Sequence, residues 1–592
     1  MKFQIYLLFI VFIVLNPLFS PGFAQNKTNS ESIKVTLNTK IPLSENALIG
    51  VTVWQPDDPS RTFPTVLVST PYISNESHGR GKLYAQNGYA MVSIDLEGRG
   101  ASDGTFTPFS DHGPVICKAI KWVKNQKWSD GNVMLRGGSY RGMTQWMAAR
   151  SCPEEILTMI PTASVYPGHD FPVVDGHRMQ KYTAGWLGFV SGAGANLNFF
   201  IDSDYWKDRE IKSFTQHIPM SEYDAFVGAP NEHFQQWVRS LSTPQDWHLN
   251  RWTDQDYAEM NMPILTVTGL YDGDQPGSLR FFKEHHQAND DSAHFLVIGP
   301  WDHGGTRQPR SKLSEQVSFG PDAVINMDEL NINWFNWILG KAPRPDFLQD
   351  KVAFYIGGED KWHYAESLDA ISDKTRRFFL SAQNDEAYDV FNSGKLVETP
   401  DDSDVTHAFL SDPLDTRFLQ ITDSNWNKIR DGHFLTQYPA FLPETLVFHS
   451  PVFSEKVILA GQITSTLYLE VDTPDVDIFV TVYAIFPDGK TLYLGGDVVR
   501  ARFRNGLIPQ MLEQGKVEKF KFDNFLWNSW ALPKGSRLRF TVGPYNDPSA
   551  QKNYNSGGKL GFETKQDAMR AKVILHHNRE FPSHLELPLM RR

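Results

Sequence analysis

The sequence predicts an α/β core built on a mostly parallel sheet, with an inserted helical cap and an all-β domain behind it. Three observations carry that expectation. At about 33–165 and again at 259–345, short continuous apolar runs alternate with helical stretches, as buried parallel strands and their crossover helices do. Residues 166–258 break this rhythm with a segment rich in Trp, Phe, Tyr and His at helical spacing. Across 348–592, alternating segments separated by turn signals replace the helices.

Composition agrees with a multidomain globular chain. The 592 residues exceed one domain at about 100–200 residues each, and 41% are hydrophobic. The balance of 57 Lys+Arg against 69 Asp+Glu, a net charge of -12, argues against partners rich in phosphate, nucleic acid or anionic lipid. The 43 Gly and 36 Pro exclude a coiled coil, and 2 Cys are too few for a disulfide scaffold or a Cys-based zinc site.

Residues 1–24 read as a secretory signal. Lys2 precedes an apolar run from Ile5 to Leu15, and Gly22 and Ala24 place small residues before a cut at Gln25. The run is shorter than the roughly 20 residues a membrane span needs. The expectation is therefore an exported chain, periplasmic or secreted, with no span after cleavage. Export permits a bridge between Cys117 and Cys152; two buried free thiols are the alternative.

Strands are expected at Val66–Thr70, Ala90–Asp95, Val133–Leu135, Ile264–Gly269 and Phe295–Gly299, with a helix near Val115–Asn125. The insertion between strand groups reads as a helical cap over a site; a separate packing subdomain is the other reading. In the C-terminal part, Ile463–Val471 and Ile478–Ile485 alternate, and Asp488-Gly489 is a hairpin turn signal. The predicted architecture there is a jelly-roll β-sandwich.

The chemistry concentrates at the ends of three strands. Val133-Met134-Leu135 runs into Arg136-Gly137-Gly138-Ser139-Tyr140-Arg141-Gly142, followed by a helical stretch. Strand, glycine-rich turn with a central Ser, then helix is the setting of a nucleophile elbow. The glycines fit because the turn packs too tightly for side chains. The strict spacing G-x-S-x-G fails, since residue 141 is Arg and the glycine comes one place later. Asp272 follows Ile264–Tyr271, and His303 follows Phe295–Asp302. A serine hydroxyl needs an adjacent base, and the base needs a carboxylate that fixes its tautomer. Ser139, Asp272 and His303 occur in the chain order of an α/β-hydrolase. His285-His286 reads as a surface pair, His294 stands at the wrong end of its strand, and Asp302 and Asp274 are rival acids. Tyr72 lies just past Val66–Thr70, in the loop where oxyanion donors are expected. The Gly-rich stretch Asp95–Asp103 reads as structural.

These residues resemble the CocE/NonD-type hydrolases, a group that includes cocaine esterase, X-Pro dipeptidyl-peptidase, α-amino acid ester hydrolase and glutaryl acylase. The matching motifs are Gly137-Gly138-Ser139-Tyr140-Arg141-Gly142, Leu270-Tyr271-Asp272-Gly273 and Gly299-Pro300-Trp301-Asp302-His303, supported by Thr70-Pro71-Tyr72 and Asp95-Leu96-Glu97-Gly98-Arg99-Gly100. The resemblance implies a triad of Ser139, Asp272 and His303. It also implies an oxyanion hole made by the Tyr72 hydroxyl and the Tyr140 backbone N–H. The architecture implied is an α/β-hydrolase core, a helical cap and a jelly roll. In the amino acid ester hydrolases, carboxylates just after the triad acid hold the substrate ammonium. Here Asp274 keeps one of them, Gln275 replaces another, and Asp170 or Asp175 is a candidate third. The expected function is an exported serine hydrolase acting on ester or amide bonds of small acyl, amino-acyl or peptide substrates. An X-Pro dipeptidyl-peptidase and a non-catalytic glycan- or partner-binding protein are the alternatives. No metal or organic cofactor is implied.

Overall fold

The computed structural model describes residues 32–590, apart from 45–46, 175–176, 179, 241–251, 291, 315–316, 418, 420–443 and 507. The segment read as a signal, residues 1–24, lies outside them, as does Asp175.

Continuous burial marks the central strands. Phe63–Thr70 and Ala90–Asp95 are buried at every position, as strands covered on both faces must be. They belong to a ten-stranded sheet. Its spatial order is Ile33–Ser44, Ala47–Pro56, Ala90–Asp95, Phe63–Thr70, Ser129–Gly138, Thr158–Thr162, Ile264–Tyr271, His294–Asp302, Val352–Ile356 and Lys361–Ala365. Pairing is parallel from Ala90–Asp95 through Val352–Ile356 and antiparallel at both margins. Ligands to such a sheet gather at the carboxyl ends of its strands. The elbow strand Ser129–Gly138 and the acid strand Ile264–Tyr271 are separated there only by Thr158–Thr162.

The sheet extends past residue 345, where the sequence reading closes the catalytic domain. Val352–Ile356 is a fully buried run that pairs with His294–Asp302 through Leu296, Val297 and Ile298. Its continuous apolar character is that of a covered parallel strand, not of an alternating sandwich strand.

Helices cover both faces. Gly113–Lys124 starts with Pro114 in its first turn, buries Val115, Ile116, Ala119, Ile120 and Val123, and ends on Lys121 and Lys124, which complement the helix dipole. Cys117 on this helix is bridged to Cys152 at the end of the elbow helix. Cross-linking residues 35 apart restricts the unfolded chain by about 3–4 kcal/mol in the loop-entropy account.

The insertion contains helices at Gln180–Phe189, Leu197–Ile201, Ser203–Gln216, Met220–Phe226, Glu232–Arg239 and Asp254–Ala258. Their starts follow local chemistry: the Asp202 carboxylate accepts from Tyr205 N, Asn231 accepts from His233 N and Phe234 N, and Thr253 and Asp256 form a capping box. Trp186 packs its ring on Phe109 and Tyr140 of the core, so insertion and catalytic domain share one apolar cluster.

The described residues of 372–590 form a largely antiparallel network of thirteen strands. Asp477–Ile485 and Thr491–Arg500 pair as a hairpin across the expected turn, where Gly489 adopts φ 85. This domain also grips the acid loop. The Gln275 amide donates to Trp527 O (3.0 Å) and accepts from Trp527 N (2.6 Å), and Trp530 Nε1 donates to the Tyr271 hydroxyl (3.0 Å).

Candidate active site

The elbow is built by steric necessity. Ser139 sits at φ 64, ψ -130 between strand and helix, a conformation that costs a non-glycine residue free energy. Its backbone N–H is held by Thr162 O (2.9 Å) and Ala163 O (3.0 Å) at the carboxyl end of the neighbouring strand Thr158–Thr162. A methyl group on Gly142 would stand 2.3 Å from Ser164 Oγ and 3.0 Å from Thr162 O, so the helix approaches the sheet this closely only with glycine there. The displaced glycine of the G-x-S-x-x-G spacing thus serves close packing. Tyr140 opens the helix Tyr140–Ser151, whose first N–H groups have no intrahelical acceptor. The Tyr140 hydroxyl is committed elsewhere: it meets His112 Nε2 (2.8 Å) and accepts from Phe109 N (2.8 Å). Only its main chain is free to face a developing charge.

Tyr72 is buried beside the nucleophile, and its hydroxyl lies within hydrogen-bonding reach of the Ser139 side chain. Trp186 Nε1 from the cap donates to the same oxygen (3.2 Å), which leaves the phenol proton to be donated onward. Burial raises the phenol above its ordinary value, outweighing Trp186 and the Arg141 guanidinium, which stands 5.3 Å from the ring centre. The group therefore stays protonated at neutral pH. Arg99, fully buried, donates to Pro71 O (2.6 Å) and to the cap carbonyls Val190 O (2.6 Å) and Gly194 O (2.8 Å). The Asp95–Asp103 stretch so ties the Tyr72 loop to the cap, and Asp95 accepts from Ser74 N (2.6 Å) in the same loop.

On the other side, His303 Nδ1 stands 2.8 Å from Asp272 Oδ1. Asp272 is fully buried, and its carboxylate also accepts from Thr268 Oγ1 (3.1 Å) and Asp274 N (3.1 Å). With a carboxylate as acceptor, Nδ1 carries the proton and Nε2 is left unprotonated to act as a base. A second carboxylate faces the ring: Asp274 Oδ2 lies 3.7 Å from the same nitrogen. Burial pulls His303 down, but Asp274 and Asp272 together outweigh it and hold the imidazole above its ordinary value. Asp274 is itself pushed up to about 6, by burial first and by Asp272, against the pull of His303. Asp272, Asp274 and His303 are close enough to offer three ligands to a cation, yet the ring nitrogen they share is already engaged by Asp272.

Other sequence candidates separate cleanly. Asp302 turns away from the ring, accepting from Gly305 N (2.8 Å) and pairing with Arg310. His294 lies at the amino end of its strand, bonded to Thr266 Oγ1 (2.8 Å) and to His285 (2.9 Å). His285 is fully buried, not on the surface: it points inward to meet His294 and Met260 O, while His286 on the next helix position pairs with Asp290. Asp170, left unplaced by sequence, stands behind Asp274, with its carboxylate held by Tyr166 N (2.8 Å) and Gly277 N (2.9 Å). Gln275 does not face substrate; it is the bracket to Trp527 described above. The Trp186 contact has no sequence signal, because it depends on how the insertion folds back, whereas Arg141 comes from the elbow motif itself and reaches Tyr72 and Glu76 within the core.

Fold and site together define a serine hydrolase of the α/β-hydrolase class. Two family models match the chain: X-Pro dipeptidyl-peptidase (S15 family) over residues 45–305, and the X-Pro dipeptidyl-peptidase C-terminal non-catalytic domain over 349–586. The cocaine esterase of Rhodococcus sp. (strain MB1 Bresler) is 24% identical over 589 residues, covering 94% of this chain and 99% of that protein. Among solved structures, an aminopeptidase from a marine sediment Thaumarchaeota archaeon superposes with TM-score 0.80 at 19% identity, over 97% of this chain and 99% of that one. An α-amino acid ester hydrolase does so with TM-score 0.80 at 19% identity, over 98% and 99%. The chain belongs to the CocE/NonD-type hydrolases of the S15 family.

Proposed function

We propose that this protein is an exported hydrolase of ester or amide bonds in small acyl, amino-acyl or peptide substrates, working through an acyl-enzyme on Ser139. The observation that carries the reading is the 2.8 Å contact of His303 Nδ1 with buried Asp272, delivered to the same sheet edge as the strained Ser139 turn. In the first half-reaction, His303 Nε2 takes the Ser139 hydroxyl proton as Oγ attacks the acyl carbon. Tyr72 O–H and Tyr140 N–H receive the negative charge on the carbonyl oxygen. His303 then returns the proton to the departing alcohol or amine, and the acyl group stays on Ser139. In the second half, His303 deprotonates a water that attacks the ester, and Ser139 leaves with that proton as the free acid forms. Export is supported by the Cys117–Cys152 bridge, a cross-link that persists in oxidising compartments.

A fluorophosphonate probe tests the nucleophile. It is expected to label Ser139, and Ser139→Ala to lose label together with p-nitrophenyl ester turnover by about 10⁶-fold. A folded Ser139→Ala that keeps either one would remove Ser139 from the chemistry.

A peptidase reading has its own observation. Asp274, partly exposed beside the base, and buried Asp170 behind it are neighbouring carboxylates, suited to a free α-ammonium group. Xaa-Pro anilides assayed beside simple acyl esters separate the two activities.

A further inference from the structure

Beside the nucleophile, the acidic balance of the chain reverses. Four guanidinium groups, Arg80, Arg136, Arg141 and Arg307, gather at the elbow, each within the electrostatic field of a neighbour. The carboxylates paired with them among the described residues stand off. Asp328 lies 3.6 Å from Arg80 Nε and 3.7 Å from Arg136 Nη2, and Glu76 lies 3.5 Å from Arg141 Nη1. Charge-assisted hydrogen bonds between such groups usually span about 2.7–2.9 Å. Nε of Arg80, Arg136 and Arg141 and Nη1 of Arg307 are buried with no hydrogen-bond partner among the described residues. In a chain of net charge -12, this is a local surplus of positive charge.

Arg307 points most directly to a ligand. It lies one turn beyond the base, in a loop held by Thr306 Oγ1 donating to His303 O (2.8 Å) and Arg307 N donating to Gly304 O (3.2 Å). From there its side chain crosses to the elbow. A methyl group on Gly138, the residue before the nucleophile, would stand 2.8 Å from Nη1 and 2.9 Å from Cδ of Arg307. The half-buried guanidinium acts electrostatically on His303, on Asp274 and on Tyr182 of the cap. It also acts on Glu76, but that carboxylate is paired with Arg141. A guanidinium nitrogen taken from water without an acceptor costs free energy, and an oxyanion beside it removes that cost. The planar fork of an arginine suits a carboxylate, which it binds through two parallel N–H···O bonds.

The chemistry decides which part of a substrate meets this group. His303 hands its proton to the departing oxygen or nitrogen, so the leaving part lies against the loop that carries the base. Arg307 belongs to that loop, whereas Asp274 belongs to the acid loop.

We propose that Arg307, backed by Arg141, is a subsite for a carboxylate on the leaving part of the substrate. The substrates it selects are esters and amides whose alcohol or amine bears an acid group, N-acyl amino acids among them. The proposal deepens the hydrolase reading and rests on it for turnover; affinity for a carboxylate does not depend on turnover.

Turnover and binding test it separately. 3-Acetoxybenzoate and phenyl acetate share an acyl group and differ by one carboxylate on the leaving phenol. The ratio of their kcat/KM values is expected to favour 3-acetoxybenzoate by about tenfold or more, to shrink as salt screens the guanidinium, and to fall toward one in Arg307→Gln. Arg307→Lys keeps the charge without the fork. It is expected to retain only part of the ratio, and it stands in if circular dichroism shows that Arg307→Gln fails to fold. A ratio near one in the parent, or a ratio unmoved in a folded Arg307 variant, overturns the subsite. The acyl side is checked with p-nitrophenyl hydrogen adipate against p-nitrophenyl hexanoate, and a carboxylate preference confined to that pair overturns the placement on the leaving part. Isothermal titration of the full-length Ser139→Ala protein with 3-hydroxybenzoate and with neutral 3-hydroxybenzamide reads binding alone. The acid is expected to bind about tenfold more tightly, and the margin to vanish when Arg307→Gln is added. Equal affinity for acid and amide overturns the subsite and leaves the hydrolase reading intact. Selective binding of the acid, with no turnover of any of the four esters by the parent, overturns the hydrolase reading alone.

Discussion

Ser139 and Asp272 stand one strand apart on the same sheet edge, yet different forces hold them. The serine is fixed by its own neighbours in sequence. Its backbone is strained to φ 64, locked by two hydrogen bonds to the next strand, and pressed by a helix that only Gly142 lets so close. The aspartate owes little to backbone strain. Thr268 and the Asp274 N–H hold its carboxylate, and the loop beyond it is bracketed through Gln275 to Trp527 of another domain. The nucleophile side is thus a steric construction that charge changes will leave standing. The acid side is an electrostatic one, sensitive to single oxygens.

That contrast can be broken hardest at the acid. Asp272→Asn keeps the shape but replaces an acceptor-only group with one that can donate to Nδ1, so His303 can take the wrong tautomer. The expected result is a folded protein whose kcat falls by about 10⁴-fold. A loss below tenfold would transfer the orienting role to Asp274, the other carboxylate on that nitrogen.

The steric side breaks more gently. Tyr72→Phe leaves the ring stacked on Phe189 and under Arg141, and removes one hydroxyl. Turnover of a good ester should fall by about 100–1000-fold, as for the loss of one oxyanion donor, with KM little changed. Unaltered turnover would take Tyr72 out of the oxyanion hole and leave the Trp186 contact as packing alone.

Sequence resolves the two sides unequally for the same physical reason. The elbow is local: strand, glycines, serine and helix lie in one unbroken run, Ser129–Ser151, and the steric demand is written into their order. Asp272 and His303 are legible because each ends a continuous apolar run. The sheet margin is not, since Val352–Ile356 joins the parallel strands only through its pairing with Leu296–Ile298. His285 looks like a surface residue beside His286, yet the helix turns it onto His294, and a neighbouring pair on a helix faces two directions by geometry. Gln275 resembles a substrate contact in sequence and is an inter-domain bracket in space. Asp170 reaches the site only because the chain after Thr162 folds back against the Gly277 turn.

The finest distinction between the two sides is a matter of pH. His303 serves as a base only when neutral, so activity is lost as pH falls through its folded value. Burial lowers that value, and the Asp274 and Asp272 carboxylates raise it by more. Asp274→Asn removes one of the two charges and keeps the side chain's size, so the imidazole holds its proton less tightly. The acid limb of kcat/KM, normalised to the variant's own plateau, should therefore move to lower pH. The limb should also change form. In the parent, Asp274 titrates near 6 beside the imidazole, and two interacting groups gain protons over one range. With asparagine there, a single protonation should remain, and the slope should fall toward one proton. Profiles on a neutral p-nitrophenyl ester measure both features. A limb that stays in place, or moves to higher pH, would show that the 3.7 Å approach of Asp274 to His303 carries no electrostatic weight in the working enzyme.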